Sequence, residues 1–184
     1  TTRRGDLITA LRLGYFRFVF RHADIAICHS ELEARNYRAL FKGCRTRFVY
    51  MPYGMHVAGS DESPRAAKSD KVRPYILSAG RSGRDYGTLF AAVNGLDIDV
   101  HIVCDRDAAL AGLKIPDNVA VLRDCYDRDY MDQLRNCLFV VVPLSVHDIS
   151  AGQMVLLQAM AFEKASIVSK TETIEEYVRE GVES

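Results

Sequence analysis

The 184-residue chain predicts a doubly wound parallel α/β sheet. Two observations carry that expectation. Short apolar runs rich in Val, Ile and Leu alternate strictly with helical stretches, the pattern of βα units with right-handed crossovers. The runs are continuous rather than alternating polar and apolar, as strands covered on both faces require.

Residues 6–22 open the chain with a helical pattern, Leu7, Leu11, Tyr15 and Phe18 along one side and Arg12, Arg17 and Arg21 elsewhere. A basic amphipathic helix can lie on a membrane, but "ADIAIC" follows at once as a strand and favours a helix packed on a sheet. Ser30 is placed to cap the next helix, "ELEARNYRALFK", which has acidic residues in its first turn and ends at Lys42-Gly43. "RFVYMP" is a further strand. Residues 57–72 have no apolar period and are rich in Gly, Ser, Pro and charge, which predicts a linker between residues 1–56 and 73–184.

After the linker the alternation restarts. "PYILSAG" is a strand, "RDYGTLFAAVNG" a helix, "IDVHIVC" a strand, "RDAALAGL" a helix, "NVAVL" a strand and "DRDYMDQLRNC" a helix. "LFVVVP", a helix from Ala151, the strand "ASIVS" and a helix from about Thr173 complete the run. The chain starts at Thr1 on a helical pattern and ends just after a helix, so it is expected to be a fragment of a longer protein.

Formal net charge is zero, so no global field favours nucleic acid or an anionic membrane. The five cysteines (Cys28, Cys44, Cys104, Cys125, Cys137) lack C-x-x-C or Cys/His ligand spacing, and reduced, buried thiols are expected. No apolar run reaches the roughly 18 residues of a membrane span, and no signal peptide is evident.

In sheets of this class ligands bind beyond the carboxyl ends of the strands, which directs attention to three loops. "SAGRSGRDYGTL" carries Gly80 and Gly83 with Arg81 and Arg84, and Asp85 opens the helix after it. Glycines admit close backbone approach and guanidinium groups match phosphate oxygens, although neither nucleotide-binding fingerprint is met. "RDCYDRDY" places Arg123 to Tyr126 at the same crevice, with Asp127 as the expected helix cap. The third is "HDISAGQMVLLQAM". Ser150 and Gln153 fit a capping box, and a helix opening at Ala151 would present the N–H groups of Gly152, Gln153 and Met154 to an anion. Gly152 would leave room for a phosphate, and Gln158, two turns on, would face the same mouth.

The segments "ADIAICHSELEARNYRALF…RFVYMPYGM", "PYILSAGRSGRDYGTLFAAV" and "FVVVPLSVHDISAGQMVLLQAMAFEKASIVSK…EEYV" resemble the family 4 retaining glycosyltransferases. That resemblance covers almost the whole chain and implies a GT-B fold of two Rossmann-like domains. Residues 1–56 would be the tail of the N-terminal acceptor domain, and residues 73–184 a truncated C-terminal, nucleotide-sugar-binding domain. It also implies that Arg81 and Arg84 hold a nucleotide diphosphate, beside the loop of Gly80. The family's Glu-x7-Glu motif reads Ser150 and Gln158 here, and Asp148, just upstream of Ser150, would partly compensate. Gly152 to Met154 match the segment that meets the diphosphate and sugar, and Gln158 the ribose-binding position.

The implied reaction transfers a sugar from a UDP- or GDP-sugar to an acceptor hydroxyl with retention, needing neither metal nor other cofactor. Arg81, Arg84, Asp148 and Ser150 would act at the reacting end, while Gly80, Arg123, Tyr126, Gly152, Gln153, Met154 and Gln158 would bind the donor. The acceptor would be a glycan, a lipid-linked or a small molecule, in polysaccharide biosynthesis, with no nucleic acid partner. The protein would work in the cytoplasm or at the inner membrane face, where the full-length protein could associate peripherally; the fragment alone would be inactive. Two alternatives stay open: a non-catalytic nucleotide- or phosphate-binding module derived from such a domain, and another enzyme of the same fold such as a sugar-nucleotide epimerase.

Overall fold

The computed structural model describes residues 2–55, 73–146 and 149–179, and it divides into two compact units, Thr1–Pro52 and Tyr53–Ser184. The linker expected over 57–72 lies outside the described residues, as do His147 and Asp148.

In the first unit α1 (Thr2–His22) leads to β1 (Ile25–Cys28), α2 (Glu31–Leu40) and β2 (Arg47–Tyr50), and the two strands pair in parallel. Ser30 caps α2 as expected, its hydroxyl accepting from the Glu33 N–H at 3.2 Å. The core is aromatic: the Phe20 ring meets Phe41 edge-on at 4.7 Å and Phe48 at 4.9 Å, around buried Cys28 and Ala34. The expected inner face of α1 is corrected here. Leu11, Tyr15 and Phe18 are exposed, and Leu13 and Phe20 pack on the core instead. The helix is apolar around much of its circumference, so its period admits either face. The Phe41 and Phe48 rings select the one that packs.

The second unit holds a five-stranded parallel sheet in the order β5-β4-β3-β6-β7, formed by β3 (Tyr75–Ala79), β4 (Asp99–Val103), β5 (Val119–Leu122), β6 (Val140–Val142) and β7 (Ser166–Val168). The helices are α3 (Tyr86–Val93), α4 (Asp127–Asn136), α5 (Gln153–Ala161) and the single turn α6 (Glu172–Glu175). Every residue of the central strand β3 is buried. Tyr75, Leu77 and Ala79 point to one core with Leu134 of α4, Leu156 of α5 and Ile174 of α6; Ile76 points to the other with Tyr86 and Phe90 of α3. Helices therefore cover both faces, the doubly wound arrangement. Each fully buried large aliphatic side chain in these two cores contributes about 1.5–3 kcal/mol.

The strand order matches that of the first five strands in dinucleotide-binding folds, with the topological switch between β3 and β6. The loops above that switch are joined: the Asp85 N–H donates to Pro143 O at 3.1 Å and the Ser145 N–H to Gly83 O at 3.0 Å.

Three local expectations are corrected. "RDAALAGL" forms only a short 3-10 turn, Asp107–Ala109, and the chain turns away through Gly112 at φ +77°. Asp127 does not cap α4: Tyr126 holds the cap position without a side-chain bond, and Asp127 is the first helical residue at φ 43°. The capping box at Ser150 is not formed, because α5 begins two residues later than expected, at Gln153 behind Gly152. All five cysteines are free thiols, and all but the half-buried Cys44 are buried. No described helix is long and apolar enough to cross a membrane.

Candidate functional site

Two clefts open at the carboxyl ends of the sheet. The first, about 380 Å³, is lined by Ala79 and Gly80 at the end of β3, Val103 at the end of β4 and Asp105 beyond it, Arg123, Cys125 and Tyr126 between β5 and α4, Asp127 and Tyr130 of α4, and Val155 and Gln158 of α5. The second, about 640 Å³, lies over the start of α5 and is lined by Tyr53, Arg81, Ser82, Arg84 and the stretch from Ile149 to Val155. Arg81 and Val155 belong to both.

The loop after β3 is held from within. Arg84 folds back: its Nε donates to Ala79 O at 2.8 Å and its Nη1 to Ser82 O at 3.0 Å. Burial pulls its guanidinium below the ordinary arginine value without threatening its charge. Two carbonyls are thus satisfied by a side chain expected to serve phosphate, leaving Nη2 and one Nη1 proton beyond them. Gly80 is favoured here by φ +116°, and a Cβ there would also displace the Arg84 guanidinium, whose Nη2 would lie 2.3 Å away. The Tyr86 hydroxyl donates to Gly80 O and closes the loop from below.

Arg81 is exposed, and its Nη1 donates to Asp105 Oδ2 at 3.0 Å. Arg123 stands on the other lip, its Nε donating to Asp107 Oδ1 at 2.9 Å. Surface pairs of this kind contribute little to stability. Tyr126 presents a largely exposed ring at the same mouth.

At α5 the first-turn N–H groups are those of Gln153, Met154 and Val155, one residue on from the expected trio. Gly152 adopts φ +87°, and a Cβ there would meet Val142 Cγ1 at 2.9 Å and Leu144 Cδ2 at 3.2 Å. The glycine therefore seats the helix start on the sheet; the space it leaves points to the core. Gln153 is 2% exposed, and its Nε2 has no hydrogen-bond partner among the described residues. Ser150 lines the second cleft, ahead of the helix. Gln158 lies in the first cleft, where the Tyr130 hydroxyl donates to its Oε1 at 2.8 Å.

The structure thus gathers Gly80, Arg81, Arg123, Tyr126 and Gln158 around one cleft, and Arg81, Arg84, Ser150, Gly152, Gln153 and Met154 around the other. Asp148 lies outside the described residues. Asp105 and Tyr130 escaped the sequence reasoning. The helical period offered a signal for Tyr130, which lies four residues after Tyr126 and four before buried Leu134.

Among solved structures the chain is similar to the glycosyltransferase SnogD from Streptomyces nogalater, with 20% identity and a TM-score of 0.37 over 75% of this chain and 43% of that one. The chain thus spans less than half the length of that structure. No family model matches the chain, and no curated protein matches it significantly.

Proposed function

We propose that the chain carries the donor-binding portion of a glycosyltransferase that moves a sugar from a nucleotide diphosphate-sugar to an acceptor hydroxyl, with retention and without a metal. The observation that carries this reading is the pair of clefts meeting at Arg81 above the switch point of a doubly wound sheet. The first cleft has a volume in the range of small-molecule pockets and suits a nucleoside, with Tyr126 for the base and Gln158 for the ribose. The second suits the charged remainder. Arg81, the remaining Arg84 donors and the first turn of α5 would meet the diphosphate, whose charge grows as the sugar departs. The sequence resemblance to family 4 enzymes supports the same assignment, including Asp148 and Ser150 near the transferred sugar.

A second reading, a nucleotide-binding module without catalysis, is favoured by one observation. Serine and glutamine stand at the two glutamate positions of the resembled motif, and neither brings a carboxylate.

Titration of UDP and GDP into the chain tests the shared core of both readings. Arg81→Ala is expected to weaken binding about tenfold through one lost charge-assisted contact. The absence of binding by either nucleotide would sink both. A panel of UDP- and GDP-sugars on the full-length protein separates them: nucleotide release abolished by Arg81→Ala supports transfer, and binding without release from any donor supports the module.

A further inference from the structure

Gln158 sits in the first cleft on α5, and across from it on α4 the Tyr130 hydroxyl donates to its Oε1 at 2.8 Å. A primary amide is polar end to end: the oxygen accepts and the NH₂ donates. The amide oxygen can only accept, so with Oε1 at the phenol it is the Tyr130 proton that bridges the two. Burial pushes the Tyr130 phenol up to about 12, so that proton is present throughout the neutral range. With its Oε1 on the Tyr130 hydroxyl, the carbonyl end of Gln158 faces α4. Its Nε2 bonds no protein group among the described residues and is left to the cleft.

We infer that Tyr130 is a positioning residue that makes Gln158 a hydrogen-bond donor in the cleft, so that the site selects a nucleotide presenting an acceptor oxygen there, a ribose hydroxyl. This rests on the nucleotide reading above and gives that wall a polarity opposite to a glutamate's. A carboxylate at this position could only accept, and would call for a ligand hydroxyl that donates. The donor amide instead receives the ligand oxygen's lone pair and leaves the ligand's own proton for water or another group.

The test compares UDP with 2′,3′-dideoxyuridine 5′-diphosphate on the unmodified chain, Tyr130→Phe and Gln158→Glu, with thermal melts alongside. The unmodified chain is expected to prefer UDP by about fivefold or more, the worth of one net hydrogen bond. Tyr130→Phe frees the amide to turn and is expected to reduce that preference to less than about twofold. A merely structural tyrosine would lower the melting temperature and leave the preference intact, which would overturn the inference. Gln158→Glu is expected to weaken UDP binding at both low and high salt, the latter screening the added charge. Tighter UDP binding by Gln158→Glu would show that the ligand donates, and would overturn the inference even were Tyr130→Phe not to fold. Failure of UDP and GDP to bind the unmodified chain removes the nucleotide reading and this inference together. An unchanged preference in Tyr130→Phe removes the inference alone.

Discussion

Gly152 illustrates how one residue's role shifts when its surroundings are known. In the sequence it sits at a helix mouth and suggests room for a phosphate. In the fold it holds φ +87°, and the hydrogen in place of its side chain faces Val142 and Leu144. Gly152→Ala is expected to destabilise the second unit by about 1–3 kcal/mol, combining backbone strain with overpacking. Chemical denaturation would measure it; a change below a few tenths of a kcal/mol would contradict the packing role. Gln153 beside it is a buried amide whose Nε2 has no hydrogen-bond partner among the described residues, a costly arrangement.

At the scale of single elements, α3 and α5 contrast in how they begin. Asp85 caps α3 by its own side chain, Oδ1 accepting from the Thr88 N–H at 3.0 Å and Oδ2 from the Thr88 hydroxyl at 2.7 Å. The backbone bond first, then the hydroxyl, holds its carboxyl below the usual aspartate value. A depressed folded value means stabilisation that is complete above the unfolded value near 3.9 and fades as pH falls through the folded one. Asp85→Ala is accordingly expected to cost about 1 kcal/mol at neutral pH. The difference from the unmodified chain should shrink below about pH 4, as read from denaturation curves across pH. A constant difference down to strongly acid pH would refute the capping account. No side chain caps α5, whose start is set by the turn at Gly152. A local cap can be read from adjacent residues, so Ser30 and Asp85 were legible. The start of α5 was not, because contacts with β6 and the loop after it override the capping signature.

For the molecule as a whole, the residues lining both clefts belong to the second unit, Tyr53–Ser184, which has its own sheet and two cores. A chain starting at Tyr53 is therefore expected to retain an α/β circular dichroism spectrum and to bind UDP or GDP within about twofold of the longer chain, since no lining contact is removed. Loss of nucleotide binding with an intact spectrum would show that the first unit contributes to the site. The sequence by itself determined the class of sheet, the succession of its strands along the chain, and the strand ends where Arg81, Arg123 and Tyr126 would lie. These follow from apolar periodicity and from the rule that ligands gather beyond strand carboxyl ends, both properties of local sequence and topology. Only the tertiary structure decided which face of α1 is buried, where α5 opens, that Arg84 spends donors on its own loop, and that Tyr130 meets Gln158. Each of those depends on a partner distant in sequence or on the direction of a side chain. Periodicity names the residues of a face but not what that face will touch.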